Sequence, residues 1–183
     1  MQENNSALVA IVTGGASGIG LAIASKLAAE KITTIIIGRD QQKLENAKQE
    51  LGEQVHTIAY DLTNLSGIPK LVDDLVKDFG KIDVLVNNAG INMKKDLLEV
   101  TDQDFLHILN TNVMSVFALS REVTKHMLAA GKGSIINISS MASQYGIPKV
   151  IAYTASKSAI EGMTRAMAVE LSPKGIRVNC IAP

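Results

Sequence analysis

Two residues in a predicted helix carry side chains suited to exchanging a proton. Tyr153 and Lys157 lie four residues apart in "VIAYTASKSAIEGMTRAM", residues 150–167. Positions i and i+4 share one face of a helix, where a cation favours the ionised form of a neighbouring phenol. Such a pair also occurs as ordinary packing, with the amine reaching solvent along the helix. The pair is therefore a candidate acid/base device whose role depends on the rest of the chain.

A glycine-rich turn follows the first predicted strand. The segment "TGGASGIG", residues 13–20, has glycines in the spacing G-x-x-x-G-x-G, and a helix is predicted to begin at its end. Glycines let the backbone approach a pyrophosphate, whose negative charge the helix N-terminus favours. The spacing differs from G-x-G-x-x-G, and a ligand-free connection is the alternative. The candidate phosphate-binding residues are Gly14, Ser17, Gly18, Ile19 and Gly20.

Two further groups of candidates follow predicted strands. Asn88, Ala89 and Gly90 end the segment "DVLVNNAG", where they could lie along a nucleotide's ribose or simply form a loop. Asp61 and Leu62 follow the third strand and could meet an adenine edge. Ligands of open parallel sheets bind beyond the carboxyl ends of the strands. These positions therefore predict the rest of a nucleotide site.

The pattern of the chain predicts the sheet that would hold these residues. Short runs rich in Val, Ile and Leu suit strands buried on both faces, and amphipathic segments separate them. Repeated strand and helix predict a doubly wound α/β domain with a parallel sheet. The predicted strands span 7–13, 33–38, 54–60, 82–88, 133–139 and 176–182. The predicted helices span 18–30, 40–51, 64–79, 102–130 and 151–173.

Composition narrows the class of protein. The 183 residues are 46% hydrophobic without tryptophan, which fits one domain with an aliphatic core. Eighteen basic and eighteen acidic residues balance without a Lys/Arg stripe, so we expect no nucleic-acid partner. No apolar run approaches the roughly 20 residues that cross a bilayer, and the N-terminal "MQENNS" is polar. We expect a cytoplasmic protein without a membrane partner.

Cysteine and histidine give no sign of a disulfide or metal centre. The single cysteine, Cys180, excludes an internal disulfide and fits a small core residue in a strand. The three histidines, His56, His107 and His126, are too scattered to suggest metal ligands. We expect no metal.

Five motifs together resemble the short-chain dehydrogenase/reductase family in its single-domain form. They are "TGGASGIG", "NNAG", Asn112 in "NTNV", Ser140 in "NISS" and "YTASK". The motifs occur in the family's order, and Ser140 stands thirteen residues before Tyr153, as the family expects. The resemblance covers the whole chain. It implies one NAD(P)-binding Rossmann domain over 1–183 and an oxidoreductase activity on alcohols or ketones.

The resemblance also implies roles for four residues. Tyr153 would exchange a proton with the substrate oxygen as hydride moves to or from nicotinamide. Lys157 would favour the anion of a phenol, whose ordinary pKa is about 10, and hold the nicotinamide ribose. Ser140 would orient the substrate oxygen, although Ser139 is a competing candidate, and Asn112 would hold a water between Lys157 and solvent. Such Ser and Asn residues also often just satisfy backbone groups.

The end of the second strand favours NADP(H) over NAD(H). Gly38 occupies the position where a carboxylate normally pairs with the ribose hydroxyls of NAD. Arg39 follows it, and its fork of donors suits a 2′-phosphate. If Asp40 only caps the helix starting at Gln41, Arg39 could be a solvated turn residue. Ser17 is not basic, unlike the residue there in many NADP-using relatives.

The substrate is less constrained by the sequence. The paired Lys94 and Lys95 in "INMKKD", with "SMASQYG" after the predicted strand, resemble sugar-acid dehydrogenases such as gluconate 5-dehydrogenase. The two lysines could meet a substrate carboxylate or form a solvated loop. A 3-oxoacyl-carrier-protein reductase shares the same motifs. A nucleotide-binding sensor without turnover is the alternative from another class.

The helices predicted over 102–130 and 151–173 suggest self-association. They combine apolar residues such as Val116 and Leu119 with small ones, and in relatives such helices form a four-helix dimer contact. We expect a homodimer or homotetramer, the alternative being that the apolar positions serve the sheet alone.

The chain reaches Pro183, a further cofactor-binding candidate, after "GIRVNCIA". Family members usually continue with a mobile substrate loop, a helix pair and a seventh strand. A sheet of six strands would leave an exposed apolar edge and an open substrate pocket. We expect either a fragment of a longer enzyme or a chain that binds cofactor and turns over poorly.

Overall fold

A computed structural model describes residues 7–183 and contains one parallel six-stranded sheet. The strand order is β3-β2-β1-β4-β5-β6, and every neighbouring pair is parallel. The polar segment "MQENNS" lies outside the described residues. The strands are β1 (Val9–Thr13), β2 (Thr33–Gly38), β3 (Val55–Ala59), β4 (Val84–Asn87), β5 (Gly133–Ile138) and β6 (Ile176–Ile181). All six predicted strands are confirmed.

Helices cover both faces of the sheet, as expected for a doubly wound domain. They are α1 (Gly18–Ala29), α2 (Gln41–Leu51), α3 (Ile68–Phe79), α4 (Asp102–Leu109), α5 (Ser115–Ala130) and α6 (Ile151–Leu171). In the described part of the chain, none of them is long and apolar enough to cross a membrane.

The prediction of one helix over 102–130 was wrong in one respect. A π-helical turn, Asn110–Met114, separates α4 from α5. In this turn the backbone N–H of Ser115 bonds the carbonyl of Asn110, one residue further back than in an α-helix. The hydroxyl of Ser115 donates to the carbonyl of Thr111 at 2.6 Å, which supplies that carbonyl with a partner inside the turn.

The continuous apolar strands are explained by burial on two sides. Ile11 and Ile35 belong to a core cluster with α3, α5 and the end of α6, whereas Val12 and Ile36 belong to a second cluster with α1 and α2. All four side chains are fully buried. Because successive strand residues point to opposite faces, a sheet covered on both faces needs an apolar residue at every position.

Strand order reverses between β1 and β4. From β1 the chain moves outward to β2 and β3, and it then returns to continue through β4, β5 and β6 on the other side. The crossovers diverge on either side of this point and leave a crevice at the carboxyl ends of β1 and β4. The glycine turn and the segment from Asn87 to Gly90 both begin there.

Asp104 ties the β4–α4 connection to the start of α4. Thr101 caps the helix by accepting from the Asp104 amide at 3.1 Å, and Asp104 Oδ2 accepts from the Thr101 amide at 3.1 Å. Lys95 Nζ donates to the same carboxyl oxygen at 2.6 Å. The Lys95 bond first, and then the Thr101 bonds, lower the pKa of Asp104 to about 2. The connection is therefore held by an ionised Asp104.

We predict that Asp104→Asn lowers the free energy of unfolding in a pH-dependent manner. The native-state pKa of about 2 lies below the ordinary 3.8, so the stabilisation is present above 3.8 and lost as pH falls toward 2. The difference in the free energy of unfolding between wild type and variant should thus be largest near neutral pH and become small near pH 2. Denaturant titrations across this range measure it. Asp102→Asn, in the same helical turn, is the control, and a gap that ignores pH would contradict the role of the charge.

Candidate active site

Helix α6 brings Tyr153 and Lys157 to the carboxyl end of β5. Lys157 is only 5% exposed, and its Nζ donates to the carbonyl of Ile138 at 2.7 Å. The same Nζ lies 5.6 Å from the centroid of the Tyr153 ring. Burial lowers the pKa of Lys157 because desolvation disfavours the charged amine. No hydrogen bond within residues 7–183 joins the two side chains directly.

The two adjacent serines after β5 have different surroundings. Ser139 is buried, and its hydroxyl donates to Glu161 Oε1 at 3.0 Å and lies 3.2 Å from the carbonyl of Lys157. Ser140 Oγ accepts from the amide of Ala142 at 3.2 Å. Its hydroxyl proton has no acceptor among the described residues. Ser140 therefore has the hydroxyl that is free to donate, which favours it over Ser139.

Asn112 lies in the π-helical turn with its side chain directed into the protein. Its Oδ1 accepts from the Ile91 amide at 2.8 Å, and its Nδ2 donates to the Ile91 carbonyl at 2.8 Å and to Ser156 Oγ at 3.0 Å. Ser156 in turn donates to the carbonyl of Tyr153 at 2.7 Å. Asn112 thus joins the chain after β4 to the helix that carries Tyr153. Both of its amide protons are used, which leaves one lone pair of Oδ1.

Three of the four catalytic candidates share one cavity of about 350 Å³. Asn112 lies behind it, bonded to Ile91 of its wall. Predicted residues that line this cavity are Ile19, Asn88, Gly90, Ser140, Tyr153, Lys157 and Pro183. The Pro183 carbonyl also accepts from the amide of Met141 at 3.0 Å, which fixes the turn beyond Ser140. The structure therefore brings Tyr153, Lys157 and the free hydroxyl of Ser140 to one cavity.

The glycine turn is shaped by a close backbone approach at Gly20. A Cβ at this position would lie 2.2 Å from the carbonyl oxygen of Gly14 and 2.5 Å from Nδ2 of Asn88, so no larger residue fits. Gly18, at φ +53, faces open space. The hydroxyl of Ser17 does not cap α1. The Ser17 side chain therefore leaves the N-terminal amides of α1 uncapped, as an anion site at a helix N-terminus requires.

A second cavity, of about 160 Å³, lies on the β2 and β3 side of the glycine turn. It shares Gly90 and Ile91 with the first cavity, so the two adjoin, and we call them together the elongated cleft. Predicted residues that line it are Gly14, Arg39, Asp61, Leu62, Ala89 and Gly90. The order of the second cavity, the glycine turn and the cavity beside Tyr153 suits an extended ligand such as a dinucleotide.

Two predicted nucleotide-binding side chains are already engaged within the protein. Asp61 Oδ1 accepts from the amide and hydroxyl of Thr63 at 2.9 and 2.8 Å, and the amide bond is the main reason that its pKa is lowered. Asn88 Nδ2 donates to the carbonyls of Thr13 and Gly14 at 3.0 and 3.3 Å. Asp61 closes a turn and Asn88 braces the glycine turn, and each residue also lines one of the two cavities.

Sequence reasoning missed Thr13, the last residue of β1. Its hydroxyl oxygen accepts from the amides of Asn88 and Ala89, both at 3.0 Å, and so holds the chain after β4 against β1. A threonine at the carboxyl end of a fully apolar strand was the signal. With β1 and β4 adjacent at the strand reversal, that hydroxyl fixes the floor of the cleft.

Arg39 and Gly38 lie together at the second cavity. Asp40 caps α2 by accepting from the Lys43 amide at 3.1 Å, as the alternative interpretation expected. Arg39 is exposed, lines the second cavity and contributes to the lowered pKa of Asp61. A Cβ at Gly38 would meet Leu44 Cδ2 at an ordinary 3.5 Å. The absence of a carboxylate at position 38 is thus not imposed by packing.

Comparison with known proteins agrees with this geometry. A family model described as short chain dehydrogenase matches residues 8–183. The 2-dehydro-3-deoxy-D-gluconate 5-dehydrogenase of Escherichia coli (strain K12) is 43% identical over 96% of this chain and 70% of its own length. The 3-oxoacyl-acyl-carrier-protein reductase of Thermotoga maritima is 36% identical over 96% of this chain and 72% of its own length.

A solved structure with the same fold extends the comparison. The crystal structure of a metagenomic short-chain oxidoreductase in complex with NADP superposes with a TM-score of 0.92 and 34% identity over 96% of this chain and 81% of that one. Across the relatives and structures compared, the chain spans between 64% and 81% of their lengths.

Proposed function

The chain belongs to the short-chain dehydrogenase/reductase family, and from that premise we propose that it is an NADP(H)-dependent oxidoreductase that interconverts a ketone and a secondary alcohol. The observation that carries the proposal is the elongated cleft. Tyr153, Lys157 and Ser140 line its one end, and Arg39 lines the other, across the glycine turn.

The side chains of the cleft divide the chemistry between them. When bound, the nicotinamide cofactor supplies hydride to the carbonyl carbon or accepts it from the alcohol. In reduction, the Tyr153 hydroxyl gives its proton to the substrate oxygen, which Ser140 holds through its free hydroxyl proton. The buried Lys157 amine, protonated, stabilises the negative charge left on the phenol oxygen, because a poorly solvated cation is weakly screened. Lys157 also has protons left to hold the ribose.

A water beside Gly90 would connect Lys157 to Asn112. A Cβ on Gly90 would lie 3.3 Å from Asn112 Oδ1 and 3.6 Å from Lys157 Nζ, so both atoms border the same small space. The remaining lone pair of Asn112 Oδ1 suits a water that donates to it and accepts from Lys157. The placement of these two atoms supports the proposed role of Asn112, which is to hold a water that links Lys157 to solvent.

For the substrate we propose a sugar acid, with the Escherichia coli relative as support. Lys95 is paired with Asp104, while Lys94 is exposed and makes no ion pair in the described part of the chain. Lys94 is therefore the better partner for a substrate carboxylate. The second candidate is a 3-oxoacyl-carrier-protein reductase, which the Thermotoga maritima relative supports. Turnover of 5-ketogluconate rather than an acetoacetyl thioester would favour the first, and NADPH binding without any turnover would favour a sensor.

We predict that Tyr153→Phe abolishes turnover and leaves NADPH binding within about twofold, since it removes the transferable proton and keeps the ring. The loss should reach at least about a hundredfold, the lower range of general acid catalysis. NADPH oxidation with both probe substrates and a fluorescence titration of NADPH measure the two effects. Tyr145→Phe, at an exposed tyrosine, is the matched control. Turnover by Tyr153→Phe above a contaminating-enzyme blank would exclude Tyr153 as the acid/base.

We predict that Arg39→Ala weakens NADPH binding about tenfold or more and leaves NADH binding unchanged, because a charge-assisted bond to the 2′-phosphate is lost. Gly38→Asp should reverse the preference, since its Cβ fits against Leu44 and its carboxylate would meet the ribose hydroxyls. Parallel titrations with both cofactors measure this. Arg177→Ala, at an exposed β6 arginine, is the control. Equal NADPH affinity in Arg39→Ala and wild type would make the NADP assignment wrong.

We also propose a homodimer or homotetramer through the helices over 102–130 and 151–173. The residues that would form the contact differ from those first expected, because Val116 and Leu119 are buried within the protein. Large apolar side chains that these helices expose are Leu106, Met114, Phe117, Leu128, Ile151 and Val169. The Arg121 guanidinium lies 5.5 Å from the Phe117 ring centroid and covers part of this surface.

We predict that Phe117→Glu shifts the protein toward monomer, because it places a carboxylate in an apolar contact. Light scattering at micromolar concentration should give a dimer or tetramer mass for wild type and a lower mass for the variant. Leu98→Glu, at a 97% exposed leucine outside these helices, should leave the mass unchanged. A monomeric wild type would refute the proposed contact.

A further inference from the structure

A carboxylate that the proposed mechanism does not use lies directly behind the turn that carries Ser140. Glu161 is half-buried on α6, four residues after Lys157 and eight after Tyr153. Its Oε1 accepts from the hydroxyl of Ser139 at 3.0 Å, and the hydroxyl of Ser143 donates to the same oxygen. One carboxyl oxygen therefore binds residues on both sides of Ser140.

The turn between Ser139 and Ser143 is held closely around Ser140. The amide of Ser143 donates to the Ser140 carbonyl at 2.9 Å, and the amide of Ala142 donates to Ser140 Oγ at 3.2 Å. Ser143 Oγ also lies 2.7 Å from the Ser140 carbonyl. A hydroxyl has one proton, and an ionised carboxylate is a stronger acceptor than a carbonyl. Glu161 is thus the acceptor that fixes the far side of the turn.

Two different elements hold the turn. On the sheet side, the amides of Ser139 and Met141 donate to the carbonyls of Ile181 and Pro183 at 2.7 and 3.0 Å. On the helix side, Glu161 accepts from the hydroxyls of Ser139 and Ser143, and two longer contacts join Ser139 Oγ to the Lys157 carbonyl at 3.2 Å and Ser158 Oγ to the Ser143 carbonyl at 3.3 Å. The sheet contacts place the turn, but they do not relate it to Tyr153. The Glu161 contacts do, because Glu161 and Tyr153 belong to the same helix.

We propose that Glu161 is a positioning residue that sets the Ser140 hydroxyl at the correct distance from Tyr153. The inference rests on the proposed function, since it concerns two groups that must reach one substrate oxygen. Positions i, i+4 and i+8 follow one face of a helix, so Tyr153, Lys157 and Glu161 form a rigid row. Displacement of a reacting group by about 1 Å can cost a hundredfold in rate. A row fixed to the serine turn prevents that displacement.

The first test uses the protein without substrate. Hydrogen–deuterium exchange of the amides of residues 141–145 should be at least about tenfold faster in Glu161→Ala, the factor for losing one hydrogen bond. Glu161→Gln keeps an acceptor oxygen but loses the charge, so its exchange should lie between that of Glu161→Ala and that of wild type. Glu170→Ala, at an exposed glutamate of the same helix, is the matched control. Equal exchange in Glu161→Ala and wild type would overturn the inference, whether or not the protein turns over a substrate.

The second test separates positioning from general stability. Glu161→Ala should lower kcat about tenfold without changing NADPH affinity, and Glu161→Gln should restore part of it. In a Ser140→Ala background, Glu161→Ala should cause no further loss, because the group that it positions is already absent. An equal loss in both backgrounds, or a Glu161→Gln as slow as Glu161→Ala, would refute the inference.

A third variant guards against a folding defect. Ser143→Ala removes one of the two hydroxyls and leaves the carboxylate in place, so it should show a smaller loss of kcat with the same dependence on Ser140. Thermal melting of every variant identifies any that fail to fold. If wild type reduces no carbonyl compound at all, the proposed function fails, and the exchange comparison still decides whether Glu161 holds the turn.

Discussion

The requirement that governs this structure is that a parallel sheet buried on both faces accepts a polar side chain only with a partner. Asn87 and Asn137 meet most of this requirement together, since they are paired across β4 and β5 and Asn87 Nδ2 donates to Asn137 Oδ1 at 2.8 Å, while Asn87 Oδ1 has no hydrogen-bond partner among the described residues. Asn87 also donates to Ser120 on α5, and Asn137 donates to Thr164 on α6. Buried polar contacts of this kind permit one alignment of helix and sheet. The helix that carries Tyr153 is thereby set relative to the strand ends.

The same requirement explains how the site carries a buried cation. Removing an amine from water is costly, and the lowered pKa of Lys157 reflects that cost. The carbonyl of Ile138, at the end of β5, partly offsets it because the last carbonyls of a strand are not all used by the sheet. The buried Lys157 amine is therefore tolerated at the end of a strand, where a carbonyl is available to accept from it. A doubly wound sheet places several strand ends beside one crevice, which explains why the cation, the serine turn and the glycine turn converge there.

Sequence reasoning succeeded where the signal is local in the chain. Strands and helices follow from apolar runs and their periodicity, and the spacing of Tyr153 and Lys157 already places both on one helical face. The sequence did not predict the hydrogen-bond partners of Asn112 and Glu161. Asn112 bonds Ile91 and Ser156, and Glu161 bonds residues of the turn after β5. These contacts join distant parts of the chain. The break between α4 and α5 was not predicted for the same reason. The segment "NTNV" follows the helical pattern of the sequence, and only the structure shows that the buried Asn112 amide bonds Ile91 and Ser156.

The parts of the cleft differ in how firmly they are fixed. Groups at the strand ends are held by buried bonds, whereas the connections after β4 and β5 meet mainly through the Lys95 amide and the Lys149 carbonyl at 2.9 Å. Lys149 has φ +67, a left-handed conformation that costs a non-glycine residue about 1 kcal/mol. The exposed contact of Lys149 Nζ with Asp96 at 3.1 Å helps to hold it. Substitutions in these connections can therefore change that part of the cleft while the buried bonds keep Tyr153, Lys157 and Ser140 in place.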